Sequence, residues 1–139
     1  MPGSVPVVLP VGAGVKTAIP KRILVVDDEP GVRRLLGELF ASEGYLVSEA
    51  SDGTRGLDRL RAFCPDVVIL DLMMPVMSGW TFAEECRRIG GRHDVPIIAM
   101  SAMFDMQSAA TALHTLGVRA CLAKPFDVEV LLSLVAQLA

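Results

Sequence analysis

From residue 21 onward, short apolar runs alternate with amphipathic stretches. Four of the runs are unbroken: Ile23-Leu24-Val25-Val26, Val67-Val68-Ile69-Leu70, Ile97-Ile98-Ala99-Met100 and Ala120-Cys121-Leu122-Ala123. A continuous apolar run of this length, bounded by polar residues, reads as a strand buried on both faces. Strands are therefore expected over 22–26, 67–70, 95–100 and 119–122. A shorter one with alternating character is expected from Tyr45 to Glu49.

The stretches between them follow helical spacing. Val32, Leu35, Leu36, Leu39 and Phe40 form one apolar stripe, with Pro30 at the first helical position and Gly44 after the last. Leu57 and Leu60 mark a second helix over 53–63, and Phe82, Cys86 and Ile89 a third that Gly90-Gly91 stops. Ala109, Ala112, Leu113 and Leu116 mark a fourth, ended by Gly117. A fifth, 127–138, turns Val128, Leu131, Leu132, Val135 and Leu138 inward. Five strand–helix repeats with short connections require a parallel sheet with helices on both faces, because the crossovers are right-handed. The expected fold is a doubly wound, flavodoxin-like (βα)5 sheet, for which 2-1-3-4-5 is the common strand order.

The polar residues that end these runs carry the chemistry. Asp27-Asp28, Asp71, Ser101 and Lys124 each follow directly on an apolar run. In an open α/β sheet, ligands bind outside the carboxyl ends of the strands. Strand order 2-1-3-4-5 sets the first and third strands side by side, so Asp27, Asp28 and Asp71 converge, with Ser101 and Lys124 on the far side of Asp71. Crowded carboxylates stay ionised at low cost only around a cation. Oxygen-only ligation selects a hard divalent ion, and Mg²⁺ suits a site that also receives phosphate.

Composition narrows the class. At 139 residues the chain suits one domain with one core. A net charge of −3 argues against non-specific nucleic-acid binding. Cys64, Cys86 and Cys121 are odd in number and lack CxxC spacing, so they read as free buried thiols in a reducing, cytoplasmic setting. No apolar run reaches the ~20 residues of a membrane helix. Residues 1–20 form a Pro/Gly-rich tail before a domain at 21–139. Pro6 and Pro10 break its apolar stretch and Lys16 is its only charged side chain, which does not fit a secretory leader. Val5, Val7, Val8 and Leu9 leave room for an added edge strand or a partner contact.

Three stretches together resemble the receiver domain of bacterial two-component response regulators. They are Ile23-Leu24-Val25-Val26-Asp27-Asp28-Glu29-Pro30, the run from Asp71 through Pro75 to Gly79, and Lys124-Pro125-Phe126. The resemblance covers residues 22–139. It implies that Asp71 accepts a phosphoryl group from a histidine kinase, a phosphotransfer protein or a small donor such as acetyl phosphate. It makes Asp28 a direct Mg²⁺ ligand, Asp27 a ligand through water, and Asp71 and the Met73 backbone carbonyl further ligands. Lys124 pairs with Asp71 at rest and with a phosphoryl oxygen afterwards, and the Ser101 hydroxyl contacts another. In the family a cis bond precedes the proline after the lysine, here Pro125. Such a domain is a signalling phosphoacceptor, catalysing only its own phosphorylation and dephosphorylation. It would act through its fourth-helix, fifth-strand and fifth-helix face on a protein partner or an output domain.

The chain departs from the family at several points. Cys121 stands where a tyrosine or phenylalanine is usual, so no ring can rotate there; a small buried core residue and a damped shift of the fourth helix driven by Ser101 are expected. Met73 and Met103 flank the path of hydrolytic water, which implies slow self-dephosphorylation. The fourth helix offers Gln107, Ser108, Thr111, His114 and Thr115, and the fifth turns Val130 and Leu134 outward. That surface suits a hydrophobic partner, or a homodimer without the usual charge pairs. His93 has no evident role, and Trp80 should start the third helix and pack on its loop. The alternatives are a receiver cut from a longer regulator, a phosphorylation-independent interaction module, and a Mg²⁺-dependent phosphohydrolase. The last places its nucleophile after the first strand as DxD, whereas Asp27-Asp28-Glu29 stands here.

Overall fold

The computed structural model describes residues 19–74, 77–89, 95–102 and 109–139. Strand β1 (Arg22–Val26), helix α1 (Pro30–Ser42), β2 (Leu46–Ala50), α2 (Gly53–Phe63) and β3 (Val67–Asp71) come first. Then follow α3 (Gly79–Ile89), β4 (Ile97–Ser101), α4 (Ala110–Thr115), β5 (Val118–Ala123) and α5 (Val128–Leu138). The five strands form one sheet in the order β2-β1-β3-β4-β5, every neighbouring pair parallel. This is the expected (βα)5 topology, with boundaries moved by a residue or two.

The unbroken apolar runs are explained by two cores, one on each face. Alternate residues of a strand point to opposite sides. Ile23, Val25, Val67, Ile69, Ile98 and Met100 pack with Leu36 and Phe40 of α1 and Leu131 and Val135 of α5. Leu24, Val26, Val68, Leu70, Ile97 and Ala99 pack with Leu60, Phe82, Ala83, Cys86 and Leu113 on the other face. Burying each large side chain stabilises the fold by about 1.5–3 kcal/mol. The centre of the sheet, which carries the candidate site, is thus held from both sides.

Local signals set the element ends. Pro30 is the first residue of α1, and Gly44 follows it at φ 95°, a left-handed backbone open to glycine. Asp52 caps α2 by accepting from Arg55 N at 2.8 Å, and Asp127 caps α5 by accepting from Glu129 N at 2.8 Å. The Lys124–Pro125 peptide is cis.

Some expectations need correction. Cys64 is exposed rather than buried, because it closes α2 in the left-handed region at φ 52°. Cys86 is buried, whereas Cys121 is only partly so and packs against the α2–α3 core. In α4 Ala112 faces solvent and Leu113 alone is buried, with Ala109 and Leu116 packed at its ends. Val130 is exposed as expected, but Leu134 is partly buried against the α1–α5 core. Trp80 lies in the first turn of α3, partly buried against the other core. Gly90-Gly91, His93, Met103, Gln107, Ser108 and residues 1–18 of the tail lie outside the described residues. Among the described residues no helix is long and apolar enough to cross a membrane.

Helix α2 approaches the sheet through Gly56, where a Cβ would lie 2.7 Å from Phe82 Cε1 and 3.1 Å from Val26 Cγ2. Both neighbours are fully buried. Gly56→Val should therefore destabilise the domain by about 1–3 kcal/mol through overpacking, seen as a lower urea midpoint with unchanged slope.

Candidate functional site

The carboxyl edge of the sheet gathers the polar residues that end the strands. Asp27 follows β1, Asp71 ends β3, Ser101 ends β4 and Lys124 follows β5. Register sets Val26 beside Leu70, Asp71 beside Met100, and Ser101 beside Ala123. One carboxylate oxygen from each of Asp27, Asp28 and Asp71 lies within 4.8 Å of the other two. Asp27 and Ser101 are fully buried, Asp71 is 4% exposed, and Asp28 is half-buried.

Hydrogen bonds orient the Asp27 and Asp71 carboxylates. Asp27 Oδ1 accepts from Glu29 N at 2.9 Å, and Oδ2 accepts from Lys124 Nζ at 2.8 Å. Asp71 Oδ1 accepts from Met73 N at 2.9 Å, leaving Oδ2 toward Lys124 Nζ at 3.4 Å. The Met73 side chain projects into solvent, 51% exposed. Lys124 N donates to Ser101 O at 2.8 Å, tying the ends of β4 and β5 together.

Lys124 pairs with Asp71 as expected, at 3.4 Å, and has two further partners. Its shortest contacts are to Asp27 at 2.8 Å and Glu29 at 2.9 Å, with Asp71 the most distant of the three. An ammonium carries three donors and no acceptor, so it divides among the acids that crowd it. Glu29 was not singled out as a site residue: its proximity comes from the turn that Asp27 Oδ1 enforces, and residue type alone carries no such signal. Ser101 sits at the predicted strand end, and Met73 two residues beyond Asp71, as the spacing requires.

The electrostatics reflect this crowding. Burial pushes the Asp71 carboxyl up to about 6; the Met73 N–H opposes the rise, the Asp27 charge adds to it, and Lys124 works against it. Partial burial alone would lower the Lys124 pKa, yet hydrogen bonds to Asp27 and Glu29 and the charges of Asp27 and Asp71 raise it. Three carboxylates, those of Asp27, Glu29 and Asp71, thus contact one ammonium, and Asp28 adds a fourth acid beside Asp27 and Asp71. The donor set is all oxygen and rich in negative charge, which fits a hard divalent cation held by Asp27, Asp28 and Asp71.

Gly79 fixes the far wall. A Cβ there would lie 2.5 Å from Leu72 Cα and 2.6 Å from Asp71 O, both of them rigid backbone. Gly79 N donates to Leu72 O at 3.1 Å. Only glycine lets α3 begin this close to the Asp71 turn.

A doubly wound sheet with clustered carboxylates and a lysine at its carboxyl edge defines an α/β domain built for a cation and an anionic group. Residues 23–136 match the family described as response regulator receiver domain. The chain belongs to that family and is a receiver domain. It is 34% identical over 117 residues to the DNA-binding dual master transcriptional regulator RpaA of Synechocystis, covering 84% of this chain and 48% of that protein. It is 37% identical over 115 residues to response regulator MprA of Mycolicibacterium vanbaalenii, covering 83% and 48%. The chain spans less than half the length of these curated relatives. Among solved structures it resembles chemotaxis protein CheY4 of Vibrio cholerae, with TM-score 0.80 and 27% identity, covering 87% of this chain and all of that one. A response regulator receiver protein of Pseudomonas putida superposes with TM-score 0.77 and 30% identity, covering 86% and 98%.

The raised Asp71 pKa has a stability consequence. The folded protein holds this proton more tightly than the unfolded chain, so the group's contribution is fully present below the ordinary value of 3.8 and lost as pH rises through about 6. Asp71→Asn removes the charge while leaving Lys124 its partners Asp27 and Glu29. Without divalent cation, this variant should melt on the order of 5 °C higher than the native protein at pH 8, and with little difference at pH 4. Calorimetry at both pH values in the presence of a chelator checks this.

Proposed function

We propose that this domain accepts a phosphoryl group on the Asp71 carboxylate in a Mg²⁺-dependent reaction. The donor is a histidine kinase, a phosphotransfer protein or a small molecule such as acetyl phosphate. The observation that carries the reading is a buried aspartate at a strand end, within reach of both an acidic pair and a lysine. An Asp71 oxygen attacks phosphorus in line; the new P–O bond forms as the bond to the donor atom breaks, and the leaving group keeps the electron pair. Phosphoryl transfer depends on positioning and on neutralising the phosphoryl oxygens. Asp28 would hold the ion directly and Asp27 through water, with Asp71 and the Met73 carbonyl completing the set. When bound, Mg²⁺ offsets the carboxylates and supplies positive charge to the phosphoryl group. Lys124 moves its donors from the resting acids to a phosphoryl oxygen, and the Ser101 hydroxyl donates to another.

The resulting aspartyl phosphate is the signal. It would be read by a docking partner or by an output domain of the kind that a relative named as a DNA-binding regulator suggests. The reading face is α4, β5 and α5. Cys121 has no ring to reorient, so Ser101 would drive a small shift of α4. This chemistry is confined to the domain's own phosphorylation and its reversal, in the cytoplasm where such kinases act.

Incubation with acetyl phosphate and Mg²⁺ should add one phosphoryl group by intact mass. Asp71→Asn should give no adduct, omission of Mg²⁺ should abolish it, and Lys124→Ala should slow its formation by about 10²–10³-fold. Repeated turnover of a phosphate ester with no stoichiometric adduct would instead point to a hydrolase.

By the family resemblance the Met73 side chain, exposed here, would border the path by which water reaches that adduct. Met73→Asn should shorten the lifetime of the phosphorylated form. A lifetime equal to or longer than the native one, followed by mass after donor removal, would contradict a shielding role.

A further inference from the structure

Arg33 belongs to none of the groups assigned above, yet it grips the acidic loop. It lies in the first turns of α1, its side chain only 19% exposed. Its Nη1 donates to the Asp27 backbone carbonyl at 2.7 Å, a short contact for a charged donor. Its Nε faces Glu49 Oε1 at 3.7 Å. Glu49 comes from β2 and reaches α1 across Gly37, where a Cβ would lie 2.5 Å from Glu49 Oε2. The other main-chain polar group of Asp27 is also taken, since its N–H donates to Ala50 O at 3.1 Å. Both backbone handles of Asp27 therefore lead to the end of β2, and the carbonyl handle sets the plane of the Asp27–Asp28 peptide.

We propose that Arg33, held by Glu49 through the gap at Gly37, is a positioning residue that tunes the divalent-cation affinity of the acidic cluster. The inference rests on Asp27 and Asp28 being cation ligands. The Asp27–Asp28 peptide decides where the Asp28 side chain starts, so its orientation governs whether both carboxylates face one ion. A surface ion pair alone would contribute little. What singles this pair out is that its planar, multi-donor head closes on a loop carbonyl as well as on a carboxylate.

Charge and geometry pull in opposite directions here. The Arg33 guanidinium opposes a nearby cation, while its hydrogen bond orders the ligands. A neutral replacement would mix the two effects. Arg33→Lys keeps the charge and gives up the fork, so it isolates geometry. Gly37→Ala touches neither the acids nor Arg33, and displaces the flexible end of Glu49 rather than rigid backbone.

The test is Mg²⁺ titration of the native protein, Arg33→Lys, Gly37→Ala and the double variant by isothermal calorimetry, with melting measured in chelator. Arg33→Lys should weaken Mg²⁺ binding by about three- to tenfold, within the range known for residues that orient metal ligands. Gly37→Ala should weaken it less, and the double variant should bind no more weakly than Arg33→Lys, because both changes act through one contact. In the acetyl phosphate assay the half-saturating Mg²⁺ concentration should rise by the same factor, with the rate at saturation within twofold of native. Mg²⁺ affinity of Arg33→Lys within twofold of native, whatever its melting temperature, overturns the inference. So does a double variant whose losses simply add. Failure of the native protein itself to bind Mg²⁺ overturns instead the ligand assignment beneath it.

Discussion

Carboxylates crowded around one ammonium are the constraint on which the rest of this structure depends. Asp27, Asp28 and Asp71 converge within 4.8 Å, and Lys124 answers them with three donors divided among Asp27, Glu29 and Asp71. Left alone, such groups would spread apart or neutralise by taking up protons. They stay together because each sits at the end of a strand, or one turn past it, that cannot move. The raised Asp71 pKa is the residue of that conflict: burial and the neighbouring charge of Asp27 win over the Met73 N–H and Lys124.

That rigidity comes from the sheet's position between two apolar layers. β1, β3 and β4 send alternate side chains into the α1–α5 core and the α2–α3 core. Moving any one strand end would disturb both layers at once, and close-packed interiors resist such shifts. Backbone ties add to this at the edge itself, from Lys124 N to Ser101 O and from Asp27 N to Ala50 O. Gly79 then lets α3 start against the Asp71 turn without steric conflict. Stability is spent at the site and recovered beneath it.

Much of this was legible in the residues. Doubly buried strands announce themselves as unbroken apolar runs, and the polar residue ending each run marks the edge where ligands bind. Strand order then places Asp27, Asp28 and Asp71 together. What could not be read is what side chains do once they arrive. Lys124 also reaches Glu29 because the turn after Asp27 brings that exposed side chain to the rim of the site, a geometric outcome that residue type does not encode. Arg33 gives no signal in the sequence, since its partner Asp27 O is backbone and its partner Glu49 lies on another element. Cys64 departs from the buried expectation because a hydrophobicity argument cannot see a left-handed helix cap.

That cap has a practical side. Cys86 is buried with its thiol pushed up to about 12, and burial raises the half-buried Cys121 thiol as well; Cys64 is exposed at the end of α2 just before β3 begins, its Sγ donating to Arg61 O at 3.6 Å. A bulky reagent must reach the sulfur before it can react, and Cys64 is the exposed thiol of the three. A maleimide dye or spin label would thus attach selectively at Cys64, at the opposite rim from Asp71, giving the domain a reporter handle that needs no engineered cysteine.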